Sequence, residues 1–347
     1  MSILIALVIF SCLILFHEWG HYLAAKRCGV TVTEFSLGMG PRLFSFKRGE
    51  TRYSWKLLPL GGSCMMLGEL DDEEGEGNFQ GKPVWQRALI IAMGPLFNFL
   101  MAQILAMILV GMAGYDPPGV LSVTEGMPAA LAGIEEGDRI TSINGRKVYL
   151  YSEISDFVFF HQDIMAKKDI PVTWTHEGEK KSALIRAALS EDGRYIFGIR
   201  GSSGVREKTG PLGTVFYGGV QVRYWIHLVF ESLGMLFRGQ ASVGDLSGPV
   251  GIVSTISETY NETKTDGIFY VVINMINIAV LLSANLGVVN LLPIPALDGG
   301  RLLLLLAEAV RGKKMDPEKE AYIHFAGFAL LMILMVIVMY NDIHRLM

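Results

Sequence analysis

Near the start of the chain, His17-Glu18-Trp-Gly-His21 lies inside an apolar stretch running from Leu13 to Ala25. Two histidines four residues apart share one face of a helix, so both imidazoles can reach a single zinc ion. The glutamate between them is placed to activate a water molecule. On a soluble helix this spacing arises by chance often enough to be only a moderate signal, and here the setting adds weight. An ionisable residue at bilayer depth costs roughly 2.5–3.5 kcal/mol on insertion scales, so three in one span demand a use. The plainer alternative is a buried polar cluster that pairs with other helices. Hydrolysis at a metal inside the membrane accounts for the residue types better.

A catalytic zinc takes three protein ligands and keeps one position open. Of the other histidines, His161 and His176 fall in a central polar region and His227 on an amphipathic stretch, while His324 and His344 flank the last apolar block. Those last two have no metal-like neighbour. A carboxylate is the better third ligand, and Asn290-Leu-Leu-Pro-Ile-Pro-Ala-Leu-Asp298-Gly-Gly300 supplies one in a Pro/Gly-interrupted break. Broken backbone at membrane depth marks binding sites in other membrane proteins. Asp298 could also simply cap the helix expected over 301–310, and the two roles are compatible.

These residues need elements to hold them. Of 347 residues, 51% are hydrophobic, and the mean hydropathy is +0.38. The apolar excess gathers in four blocks, about 3–25, 88–113, 268–292 and 321–340, each near the ~20 residues that cross a bilayer. The fold class expected is therefore a polytopic α-helical membrane protein with a soluble insert. The stretch 215–237 is different, because Arg223, His227 and Glu231 recur every four residues. That makes an amphipathic helix lying at the interface or packed on a soluble domain. Net charge of −4 leaves no footprint for nucleic acid. Three cysteines without a CxxC build neither a disulfide framework nor a cysteine zinc site.

The first block has no basic n-region and no small-residue cleavage site, so it reads as a retained span rather than a signal peptide. Lys26 and Arg27 follow it directly, and Arg301, Arg311, Lys313 and Lys314 follow the third. The positive-inside rule then puts 26–87 in the cytoplasm, with both termini and the 114–266 region outside. Residues 51–66 mix aromatic and aliphatic types around Gly61-Gly62, which predicts a hairpin apolar enough to dip into the membrane. The acidic run 71–76 reads as a solvated loop.

In the insert, Pro128 predicts a short helix ended by Gly133, then a strand over 139–143 and a hairpin turn at Asn144-Gly145. This A-G-I-x-x-G-D-x-I-x-x-I-N-G run resembles the PDZ domains of bacterial membrane-associated proteases, over about 115–202. PDZ domains bind peptides by strand addition. A cap that filters by size is an equal possibility. The domain reading is 1–113 for a first membrane half and 114–202 for the PDZ domain. Residues 203–266 form a linker with the amphipathic helix, and 267–347 the second membrane half.

Taken together, HEWGH at 17–21, NLLPIPALDGG at 290–300 and the insert between them resemble the site-2 protease family of intramembrane zinc metalloproteases. Within it the likeness is to the bacterial regulator-of-sigma-E type. Pro59-Leu-Gly-Gly62, Gly94-Pro-Leu-Phe-Asn98-Phe99 and Leu246-Ser-Gly-Pro-Val-Gly251 extend the resemblance over nearly the whole chain. It implies zinc on His17, His21 and Asp298, catalysis by Glu18, and a reentrant hairpin that holds substrate through its Gly61-Gly62 region. Active-site or substrate contacts from Asn98 and Asn290 are also implied. Substrates would be single-span proteins already trimmed by another protease, such as anti-sigma factors or remnant signal peptides, in a bacterial inner membrane. Tandem PDZ domains are usual in that type, whereas this chain has room for one. The rivals are a non-catalytic PDZ membrane scaffold, against which stand the intact histidines, glutamate and aspartate, and a metal transporter, for which repeated acidic spans would be expected.

Overall fold

The structure is a computed structural model, and it describes residues 2–69, 76–201, 206–242, 244, 247–314 and 316–346. The acidic run apart from Glu76, the 202/203 domain boundary and Leu246 lie outside the described residues. Among the described residues four helices are long and apolar enough to cross a membrane. They are α1 (Ser2–Arg27), α2 (Val84–Ala113), α8 (Ile268–Asn290) and, within α10 (Pro317–Leu346), Lys319–Arg345. All four coincide with the apolar blocks. The chain forms two compact units, residues 1–105 with 239–347 and residues 106–238.

In the first unit, β1 (Val32–Arg48) and β2 (Thr51–Met66) form a hairpin whose tight turn is Gly49-Glu50, where Arg48 pairs with Thr51. The turn is thus twelve residues upstream of where the glycine pair at 61–62 predicts it. Each long strand bends once, and the bend folds the hairpin back on itself. Glu34 to Leu37 pair in rising order with Arg52 to Trp55 and in falling order with Met65 to Gly62. Glu34 sits 5% exposed beside the first bend and grips Arg42 beyond it through Nε at 2.9 Å and Nη2 at 2.7 Å. Such bidentate guanidinium–carboxylate bonding fixes geometry as well as adding energy. Met39, Leu43, Phe44, Phe46, Trp55, Leu57 and Leu58 remain exposed on the folded tip. That is the apolar surface a hairpin dipping into lipid requires.

Two further contacts brace this unit. Gly248 begins α7 (Pro249–Thr263), and Asp342 of α10, 3% exposed, accepts the Gly248 and Gly251 amides at 3.2 and 2.8 Å. A carboxylate there satisfies donors that a helix start leaves orphaned. Arg87 of α2 holds Glu308 of α9 (Asp298–Arg311) in a two-pronged pair at 2.5 and 3.2 Å.

The second unit has an antiparallel sheet in the order β5-β4-β6-β7, with β4 Arg139–Ile143, β5 Arg146–Lys147, β6 Ile170–His176 and β7 Glu179–Ile185. Asn144 and Gly145 between β4 and β5 have φ of +50° and +78°, the left-handed pair that a two-residue hairpin turn needs. Elsewhere β3 (Val120–Val123) pairs with β10 (Ile199–Gly201), while α3 (Pro128–Leu131), α4 (Tyr151–Phe160) and α5 (Gln162–Lys167) cover the core. Fully buried Ile140, Met165, Ile170, Val172 and Trp174 centre that core. The strand and helix order is that expected of a PDZ domain. Lastly, α6 (Pro211–Phe237) carries the predicted amphipathic stripe and packs on the domain. Arg223 pairs with Glu153, and Arg146 bonds His227 and Glu231 at 3.1 and 3.2 Å. Of the two placements open for this helix, docking on the soluble domain is the one observed.

Candidate metal centre

Helix α1 turns His17 and His21 toward the start of α9. His17 Nε2 stands 3.2 Å from His21 Nε2, and Asp298 Oδ2 lies 3.3 and 3.4 Å from the two nitrogens. Tetrahedral zinc with bonds of about 2.0–2.1 Å needs ligand atoms about 3.3 Å apart, so the three atoms fit the ion in spacing and donor type. Asp298 Oδ2 is buried and has no hydrogen-bond partner, as an atom reserved for a metal would be. The capping alternative is not realised. Leu297 is the N-cap of α9, Asp298 is the first helical residue, and no side-chain cap bond forms.

The distal ring nitrogens have partners of their own. His21 Nδ1 donates to the Ile90 carbonyl at 2.9 Å, which leaves Nε2 deprotonated and free to ligate. His17 Nδ1 lies 3.0 Å from the side-chain amide of Asn98, which is 0% exposed. Asn98 Nδ2 is the amide atom nearest it; ligation through His17 Nε2 puts a proton on Nδ1, and the amide turned end for end would present Oδ1 to accept that proton. Asn98 therefore sits behind the histidine and not on the cavity wall. Ser283 of α8 in turn donates to the Asn98 carbonyl at 2.7 Å.

Glycine makes room for both histidines. A Cβ on Gly94 of α2 would overlap His21 and lie 2.8 Å from His17 Cε1. A Cβ on Gly62 would lie 2.9 Å from Glu18 Cγ and 3.0 Å from Ile14 Cγ2, so the hairpin passes directly against the Glu18 side of α1.

His17, Glu18, His21 and Asp298 line a cavity of about 740 Å³. Part of its wall is the segment Gly62 to Met66, which among the described residues pairs with β1 alone. Asn290 also lines the cavity, as the resemblance implies, whereas Gly61 packs against Met39 instead. Glu69, Arg301, His324, Phe325 and Phe328 also line the cavity; sequence reasoning used Arg301 only for topology, set His324 aside and did not name the other three. His324 Nδ1 accepts the Ala296 amide at 3.2 Å, holding a turn in which Ala296 has φ +76°. A non-glycine residue there costs of order 1–3 kcal/mol, so the loop presenting Asp298 is held by its surroundings. The Pro-Ile-Pro run hinted at such a turn, but nothing local pointed to the histidine 28 residues later.

The chain is 33% identical to the zinc metalloprotease RasP of Bacillus licheniformis, with 99% of each covered. It is equally 33% identical to the regulator of sigma-W protease RasP of Bacillus subtilis, again with 99% of each covered. A putative zinc metalloprotease of Clostridium acetobutylicum is 37% identical over 99% of this chain and 97% of its own. Among solved structures, the PDZ domain of an SdrC-like protein from Listeria monocytogenes matches 26% of this chain and 90% of its own, at 26% identity and a TM-score of 0.23. The model of peptidase family M50 matches residues 5–334. With that span and those relatives, the chain belongs to peptidase family M50, the site-2 proteases, and is a multi-pass bacterial membrane metallopeptidase with zinc as its cofactor.

Proposed function

We propose that this protein hydrolyses peptide bonds within the transmembrane segments of single-span membrane proteins that another protease has already shortened. Anti-sigma-type regulators and remnant signal peptides are the substrate classes. The reading rests on one observation, the convergence of His17 Nε2, His21 Nε2 and Asp298 Oδ2 within 3.2–3.4 Å beside Glu18.

Zinc bound there supplies Lewis acidity toward the scissile carbonyl and toward water. Glu18 takes the proton of the attacking water and passes it to the leaving amine nitrogen, a general base that then serves as general acid. His21 and His17 keep their ligating nitrogens aimed through the Ile90 carbonyl and Asn98. A transmembrane helix has its carbonyls bonded internally, so the substrate must unwind before attack. The open side of the Gly62–Met66 segment offers it strand pairing in the extended form. Asn290 contacts the chain from the opposite wall. The PDZ unit, outside the membrane with both termini, selects which trimmed proteins enter.

The test uses a tagged single-span substrate in membranes with wild type and Glu18→Gln, with and without a zinc chelator. Cleavage that needs both Glu18 and metal is expected. Equal cleavage by Glu18→Gln, or none by wild type with several truncated substrates, would refute the assignment.

A further inference from the structure

We infer that the Glu69 carboxylate is a positioning device that ties the substrate-side strand to the helix bearing the third metal ligand. This rests on the protease reading above for its purpose, though not for its geometry. Glu69 follows β2 directly. Its Oε2 accepts the Met66 amide at 3.3 Å, at the end of the segment that walls the cavity. Its Oε1 accepts from Arg301 Nη1. Arg301 lies three residues beyond Asp298 in α9, on the neighbouring turn of the same helix face.

One carboxylate thus joins two pieces of backbone whose separation sets where an extended chain lies relative to the metal. The pair is 232 residues apart in sequence. Glu69 is 12% exposed and Arg301 30% exposed, and both line the cavity. A charge-assisted bond in such a setting is shorter and stiffer than a neutral one. Glu69 is not one of the residues whose ligand atoms gather around the metal position. The bridge places backbone and does not itself ligate. A misplacement of about 1 Å between reacting groups can cost on the order of 100-fold in rate, so even a small loosening is measurable.

The experiment uses the intact protein in lipid nanodiscs, as wild type, Arg301→Gln, Arg301→Lys, Glu69→Ala and the double variant Arg301→Gln/Glu69→Ala. Hydrogen exchange at the Met66 amide is read with and without zinc, next to zinc stoichiometry and cleavage of a single-span substrate. Arg301→Gln is expected to speed Met66 exchange by about tenfold or more, leaving residues 42–55 unchanged and zinc retained. Arg301→Lys restores most of the protection. The kcat falls about 10- to 100-fold in Arg301→Gln and Glu69→Ala, with KM moving by less than about threefold, and the double substitution is no worse than the poorer single one. Unchanged Met66 exchange, loss of zinc in a folded variant, or losses that multiply in the double variant would each overturn the proposal. A wild type that binds zinc yet cleaves nothing, with the exchange result intact, counts against the protease reading and still supports the bridge.

Discussion

At the scale of single residues, a zinc held by His17, His21 and Asp298 would depend as much on the groups behind those side chains as on the side chains themselves. Asn98 is the clearest case, because its buried side-chain amide abuts His17 Nδ1, where its oxygen would accept the proton that ligation through Nε2 leaves there. Asn98→Ala should weaken zinc binding about 10- to 100-fold in competition with a chelator, whereas Asn98→Asp, which keeps an acceptor oxygen, should stay near wild type. Equal affinity in the alanine variant would return Asn98 to a role in contacting substrate. Gly94 belongs to the same logic. The Gly94-Pro95-Leu-Phe-Asn98 run carries a space for two imidazoles and, one helical turn later, the amide that orients one of them.

At the scale of elements, the folded-back hairpin does what a simple one could not. Its bends bring Gly62 to Met66 against α1, and the exposed apolar tip is left on the other segments. The contact at Gly62 has no slack. Gly62→Val should push the strand away from Glu18, lowering cleavage about 100-fold while zinc content stays at the wild-type level. Wild-type turnover in that variant would mean that the strand does not guide the substrate. Gly61-Gly62 looked like a turn because paired glycines usually mark one. Here the second glycine is needed for a close approach, a requirement set by a helix that precedes it by some forty residues.

At the scale of the whole molecule, the inserted unit has a pH response of its own. His161 is 7% exposed, stacked on Phe157 with ring centroids 4.7 Å apart, and burial pushes its imidazole pKa below the ordinary value. Glu231 at 3.7 Å and Asp163 oppose that shift, and Arg146 reinforces it. A histidine held neutral in the fold takes up its proton more readily when unfolded. The unit should therefore lose stability as pH falls below about 6.5, where the unfolded chain gains protons first. Amide exchange in α4 and α5, corrected for intrinsic rates, should quicken between pH 7.5 and 5.5 in the intact protein. His161→Phe should flatten that dependence, and an unchanged slope would locate the response elsewhere.

The four spans, the HExxH face and the strand, turn and helix order around Asn144-Gly145 were all legible in the chain alone. Each rests on local physics: apolar length, helical period, or a turn that needs positive φ. The resemblance of the motifs supplied the zinc chemistry and the family. Only the tertiary structure decided that Asn98 lies behind His17, that the hairpin turns at Gly49-Glu50 and folds back, and that Glu69, Arg301 and His324 share the cavity with the ligands. Those contacts join residues far apart in sequence, and they form only when helices and sheet pack. Periodicity and spacing report what a segment does on its own, so they carry no signal for a carboxylate whose partner lies 232 residues away.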